Sequence, residues 1–251
     1  MAPPACCREG GGNLDKIDRL LVIGDIHGKW DRFWNLYQKV GFNPEHDLMV
    51  FLGDYLDRGD NPVPVMDWVL EHFGSKNMIF LRGNHEQMFY EALRGERQKD
   101  GLVEFRIESP KYLWRDNGGK ETYRAMEAAG RLEELTEAWL QLIEKMPLYA
   151  EVEADGHKYW FVHADCNPEQ PLEKQKSKLL LWGRHLAMYP GLHQGEQTIV
   201  LGHTPVQALH LGSKPRWLSL GRLVLMDTGS FLEKGHISCA DLLTQEVWQS
   251  D

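Results

Sequence analysis

Six short apolar runs, each cut off by Gly, Asp, Asn or His, constrain this chain more than any other feature. They are Leu20 to Ile23, Leu48 to Leu52, Met78 to Leu81, Tyr159 to Val162, Ile199 to Leu201 and Leu223 to Met226. Runs this short, apolar throughout rather than alternating with polar residues, are the pattern of strands buried on both faces. Amphipathic helices fall between them. Trp30, Phe33, Trp34 and Tyr37 share one helical face, and a second helix starts at Pro62 and Pro64, buries Val65, Val69 and Phe73 and stops at Gly74. Strands alternating with helices predict a layered α/β fold.

From about Glu86 to Pro147 no strand pattern appears, and Leu132, Leu135, Trp139, Leu142 and Met146 form a helical stripe. That stretch is too long for a simple connection, so it is expected to form a helical cap beside the site. A chain of 251 residues can bury one sizeable core. The expected organisation is a flexible Pro- and Gly-rich tail over residues 1–13, including Cys6 and Cys7, followed by a single domain over 14–251.

With 26% charged residues and no apolar run near the roughly 20 residues that cross a bilayer, a soluble protein is expected. The net charge of −9 argues against nucleic-acid or membrane partners, and an anionic substrate would need a strong local positive site. Cys6, Cys7, Cys166 and Cys239 have neither the density of a disulfide scaffold nor metal-binding spacing, which fits a reducing, cytoplasmic setting. Oligomeric state is not legible.

The polar residues that end the runs carry the chemistry: Gly24-Asp25-Ile26-His27-Gly28, Gly53-Asp54-Tyr55-Leu56-Asp57-Arg58-Gly59, Gly83-Asn84-His85-Glu86, His163, and Gly202-His203. In layered α/β proteins, strand ends of this kind converge on the ligand crevice. Taken singly, a His or Asp after a strand is as readily a helix cap as a ligand. Together, carboxylate, imidazole and amide oxygen without thiolate suit divalent Mn, Fe or Zn, and argue against a structural zinc. So many ligand groups exceed one ion, whereas two ions about 3.5 to 4 Å apart sharing a carboxylate account for the surplus. The other seven histidines, among them His46, His72 and His236, lack this context and are expected to be solvated.

These motifs resemble the phosphoprotein phosphatase branch of the calcineurin-like metallophosphoesterases, whose pattern runs GDxHG, GDxxDRG, GNHE, then His and Gly-His. In length the chain is most similar to bacterial and bacteriophage lambda-type serine/threonine protein phosphatases. Trp114 with Gly118-Gly119 and Thr122, Leu181-Trp182-Gly183-Arg184, and Asp227-Thr228-Gly229 are further likenesses. The resemblance implies a four-layer α/β/β/α sandwich with two mixed sheets. It implies that Asp25, His27 and Asp54 hold one metal ion, and that Asp54, Asn84, His163 and His203 hold a second, most plainly Mn2+. The nucleophile would be a hydroxide bridging the two ions. Arg58 and Arg184, with Asn84, would bind the phosphate, and His85 oriented by Asp57 would protonate the leaving oxygen. A phosphoprotein or small phosphate ester is the expected substrate. The rivals are a symmetrical diadenosine tetraphosphate hydrolase and a non-catalytic phospho-ligand binding module. One departure is the Asp165 that follows His163-Ala164 where the family has Gly; it would either disturb the second metal or face solvent.

Overall fold

The computed structural model describes residues 6–7, 17–97 and 109–251. In chain order the strands are β1 Cys6–Cys7, β2 Arg19–Ile23, β3 Asp47–Phe51, β4 Met78–Phe80, β5 Tyr149–Ala154 and β6 His157–Val162. Then follow β7 Thr198–Leu201, β8 Arg216–Leu218, β9 Leu223–Leu225, β10 Ser238–Asp241 and β11 Val247–Gln249. The helices are α1 Trp30–Val40, α2 Pro62–His72, α3 Asn84–Arg97, α4 Pro110–Trp114, α5 Lys120–Ala128, α6 Leu132–Lys145, α7 Ser177–Trp182 and α8 His185–Met188.

Two mixed sheets result. One has the order β1-β5-β6-β7-β9-β8 and the other β11-β10-β2-β3-β4. Each contains a parallel triple, β2, β3 and β4 in one and β6, β7 and β9 in the other, with antiparallel strands at the flanks. Strand alternation explains why the six runs carry no polar residue. Leu20, Val22, Leu48 and Val50 point between the sheets, against Ala150, Phe161, Val200 and Val224. Their neighbours Leu21, Ile23, Met49 and Phe51 point outward into α1, α2 and α6, while Ile199, Leu201 and Leu223 pack under α7 and α8. With both faces of both sheets covered, an in-between polar residue would be buried without a partner. The outcome is the helix, sheet, sheet, helix layering that the resemblance implied.

All six apolar runs are strands, and both early helices stand where expected, the second ending at His72 with Phe73 as its cap. The region from Glu86 to Pro147 is helical among the described residues, with α4 joined to α5 through a π turn at Arg115–Gly119. The tail expected over 1–13 lies outside the described residues except Cys6 and Cys7, whose backbones run parallel to β5. No helix among the described residues is long and apolar enough to cross a membrane.

The histidine expectation holds for His46, His185 and His210, which are exposed, and is corrected for His193, His72 and His236. His193 is 3% exposed and contacts the Gln197 carbonyl. His72 stacks on Trp68 at 4.2 Å, and His236 contacts the Ser250 carbonyl. Each imidazole binds a carbonyl or a ring within its own locality, which an isolated residue in the sequence does not reveal.

Phe161 is fully buried between the sheets, whereas Leu220 is fully exposed. Phe161→Ala should therefore cost about 3–5 kcal/mol in urea unfolding, against less than about 0.5 kcal/mol for Leu220→Ala. A small loss at Phe161 would contradict a dry interface between the sheets.

Candidate dinuclear metal centre

The C-terminal ends of both parallel triples open onto one crest, and every motif singled out in the sequence lies there. Immediately after their strands, the chain turns into left-handed backbone at residues that are not glycine: His27, Asp54, Asp57, Arg58 and His203 have φ of 49°, 55°, 70°, 64° and 63°. Such conformations are costly, and they persist because surrounding contacts hold them. Glu86 supplies three of those contacts. Its buried carboxylate accepts the backbone N–H groups of Asp54, Tyr55 and Gly83, each at 2.8 Å, tying the second motif to the third. Glycines permit the closeness: a Cβ on Gly83 would overlap Asp54 Oδ1, and one on Gly202 would overlap Asp25 Oδ1.

Asp54 stands at the middle. Its carboxylate oxygens lie 3.6 Å from His27 Nε2, 3.9 Å from His85 Nε2 and 3.4 Å from His163 Nε2. Burial alone would raise its pKa, but His163, His85, His27 and His203 together hold it below the ordinary carboxylate range. Two compact groups of ligand atoms result, His27, Asp54 and His85, and Asp54, His163 and His203. Asp25 stands beside the first, with Oδ2 4.0 Å from His27 Nε2 and both oxygens accepting His203 N–H at 3.1 Å.

Tautomers show what these atoms present to one another. The carbonyl of Leu52 can only accept, so His163 donates through Nδ1 at 2.8 Å. Burial lowers the pKa of this imidazole, leaving it neutral with a lone pair on Nε2. That lone pair faces Asn84 Oδ1 at 2.9 Å, and His203 Nδ1 lies 2.8 Å from the same oxygen. A neutral His163 cannot donate to both carbonyls, so one contact sets acceptor against acceptor. A cation among these atoms removes the conflict. Ligands bound at 2.0–2.2 Å and at right angles sit about 3 Å apart, close to the spacing seen. His27 repeats the device, donating through Nδ1 to the Leu56 carbonyl at 3.1 Å with its pKa lowered by burial. His203 is held down to about 2 by burial and by His163.

Asp57 and His85 form a separate unit. Asp57 Oδ2 accepts from His85 Nδ1 at 2.8 Å, and the carboxylate also takes Trp114 Nε1 at 3.0 Å and Thr122 Oγ1 at 2.6 Å. Burial would depress the pKa of His85, but Asp54 and Asp57 raise it above the ordinary value. Its Nε2 has no hydrogen-bond partner and faces the crest. Arg58 points Nη1 at His27 Nε2, 3.0 Å away, and lies over the Phe231 ring at 4.2 Å. Arg184 is exposed at the start of α8, where its charge helps lower the pKa of His163 and His203.

Three buried acids received no such role from sequence reasoning. Glu86 is described above. Asp227 follows β9 and faces Asp25; burial, aided by the charge of Asp54, raises it to about 7, and burial with the charges of Asp227 and Asp54 pushes Asp25 well above its usual value. Asp227 ends the sixth apolar run just as the other ligand candidates end theirs, so the signal was present. Asp165 neither faces solvent nor points at the metal groups. It is 1% exposed, and its carboxylate accepts the N–H groups of Cys166, His185 and Leu186, at 2.9, 2.7 and 3.3 Å, fixing the turn that carries Arg184.

Two facing mixed sheets that raise buried Asp and His groups on a shared crest define a metallophosphoesterase. The chain belongs to the calcineurin-like phosphoesterase family, whose profile matches residues 18–237. It is 29% identical over 213 residues to serine/threonine-protein phosphatase 1 of Salmonella typhimurium, covering 83% of this chain and 85% of that one. It is 28% identical over 229 residues to an asymmetrical bis(5'-nucleosyl)-tetraphosphatase of Anoxybacillus flavithermus, covering 83% and 84%. A crystal structure described provisionally as a diadenosine tetraphosphatase aligns over 95% of each chain, with a TM-score of 0.64 and 16% identity.

The raised carboxyls carry a pH signature. The Asp227 carboxyl, raised to about 7, keeps its proton at pH 6, whereas burial depresses the pKa of His27, His163 and His203. Calorimetric metal titration at pH 6 in buffers of different ionisation enthalpy should therefore show proton release, with about one proton fewer for Asp227→Asn. The contribution of Asp227 should fade as pH rises through 7, where its carboxyl is already ionised. Unchanged release in the variant would count against the Asp25–Asp227 pairing.

Proposed function

We propose that this hydrolase removes phosphate from phosphoserine or phosphothreonine in proteins. The observation that carries the reading is the Asp57–His85 pair. A seryl or threonyl leaving group departs as a poor alkoxide and needs a proton, whereas the nucleotide released from a dinucleoside polyphosphate is a stable phosphate anion. His85, held by Asp57 through Nδ1 and raised in pKa, keeps a proton on Nε2 for transfer to that oxygen.

Asp25, His27 and Asp54 would hold one divalent cation, and Asp54, Asn84, His163 and His203 the other; Mn2+ suits this oxygen and imidazole set, as do Fe and Zn. Two cations so placed supply Lewis acidity to the phosphoryl oxygens and activate a water. Arg58 and a cation would compete for the one lone pair of His27 Nε2, so a filled site turns the Arg58 guanidinium to the phosphate. Phe231 beneath it keeps that guanidinium planar to the pocket. Arg184, on the turn fixed by Asp165, approaches from the opposite sheet, and two planar donors would clamp the non-bridging oxygens. Asn84 Nδ2 adds a neutral donor.

The second reading, dinucleoside polyphosphate hydrolysis, is favoured by the 28% identity to the tetraphosphatase; that relative is named asymmetrical, unlike the symmetrical rival raised from the sequence. Under matched Mn2+ conditions, kcat/KM for phosphoseryl and phosphothreonyl peptides should exceed that for diadenosine tetraphosphate. Rapid cleavage of the dinucleotide with phosphopeptides untouched would reverse the choice.

The role of His85 has its own test, because its Nε2 lies within reach of Asp54 and could be a ligand instead. His85→Asn should lower kcat by roughly 10² to 10⁴ with metal stoichiometry unchanged, and by less for an aryl phosphate with a good leaving group. Loss of a bound metal in this variant would reassign His85 as a ligand.

A further inference from the structure

Behind the Asp57–His85 pair lies a cavity of about 300 Å³ in the cap, between α3, α4 and α5. Trp114 is shared between the two: it lines this cavity while its indole N–H bonds Asp57. The rim is cationic. Arg115 stands on one side, and Lys120 and Arg124 four residues apart on the other, with Glu127 the one acid among the described lining residues. Asp116 approaches Lys120 only at 3.9 Å. Like charges at the Lys120–Arg124 spacing on one helical face destabilise the helix, and here that pair converges with Arg115 on one opening in a chain of net charge −9. Such a concentration of one sign raises the local concentration of an anion. The cavity is separated from the metal centre by the Trp114 indole, so it does not hold the scissile phosphate.

Resting on the phosphoprotein reading above, we propose that this cavity receives a carboxylate side chain of the substrate, a few residues from the phosphorylated position. Three extended residues span about 10 Å, enough to pass from the crest over one side chain into the cap. The cations then select acidic flanking sequence. The anchoring has a route to the chemistry, because the same segment supports Asp57 through Trp114 and Thr122 and accepts the Arg58 N–H at the Gly118 carbonyl.

The experiment compares Mn2+-loaded wild type, Lys120→Gln and Arg124→Glu on an aryl phosphate and on phosphoserine peptides carrying Glu or Gln at each of four positions on either side. Wild type should prefer Glu at one or two positions by about tenfold in kcat/KM at low ionic strength, with the preference shrinking as salt rises. In both variants it should fall toward unity while aryl phosphate turnover stays within about twofold of wild type, since that small substrate does not reach the cavity. Equal rates for Glu and Gln peptides at every position in wild type, or an undiminished preference in the variants, would overturn the proposal. Hydrolysis of the aryl phosphate with no peptide cleaved would instead overturn the phosphoprotein reading itself.

Discussion

A single carboxylate, Asp54, is buried among four imidazoles where the crests of two sheets meet, and the placement of the surrounding groups follows from it. An ionised carboxylate this deep needs compensation on every side. His163 and His203 come from one sheet and His27 and His85 from the other, so gathering these groups around one carboxylate requires both sheets to end at the same height. That requirement accounts for the two parallel triples side by side, since parallel strands are what bring several strand C-termini to one end. It also accounts for the glycines next to the motifs, which let the Asp54 and Asp25 oxygens approach neighbouring backbone.

Of the four imidazoles only His85 is raised in pKa, while burial depresses His27, His163 and His203, so the centre is too rich in acceptors to be at rest without cations. His163 and His27 have spent their N–H groups on backbone carbonyls, and Asp25 faces Asp227. Lone pairs directed at one another inside a buried site mark a place suited to positive charge. Glu86 shows the alternative way to bury an acid: three backbone N–H groups surround it, and it braces the loops instead of reaching for a ligand. The same distinction separates Asp165, satisfied by the start of α8, from Asp227, whose Oδ2 has no donor.

Much of this was legible in the sequence because two-sided burial erases polar alternation and strand ends restore it abruptly. The runs at Leu20, Leu48, Met78, Tyr159, Ile199 and Leu223 are strands for that reason. The strands that escaped notice lie outside the parallel triples and have weaker signals. β5 reads Tyr-Ala-Glu-Val-Glu-Ala, mostly buried but interrupted by Glu151 and Glu153, at the end of a helical stretch. β10 reads Ser-Cys-Ala-Asp and is buried by tertiary pairing with β2, which its own residues do not announce. Glu86 and Asp165 were illegible in role because their partners are backbone N–H groups of distant loops. Asp165 in particular invited a reading in terms of the metal, whereas its effect falls on the turn carrying Arg184.

The helices α4 and α5 bear on the Asp57–His85 pair as directly as the sheets bear on the metal-ligand candidates. Asp57 sits in the loop after β3, yet two of its three side-chain partners, Trp114 and Thr122, come from α4 and α5. Without them the carboxylate would keep His85 as its only strong partner, and both Asp57 and Arg58 would rest in left-handed backbone with less to hold them there. The π turn between α4 and α5 serves the same end: Gly118, at φ 105°, turns its carbonyl onto the Arg58 N–H, where a Cβ would collide with Arg58. A segment that looks in sequence like an insertion over a finished site is therefore part of how the Asp57–His85 pair and Arg58 are held. Changes at Trp114, Gly118 or Thr122, which bond Asp57 and Arg58 directly, should reach the chemistry through those two residues before they reach the metal-ligand candidates.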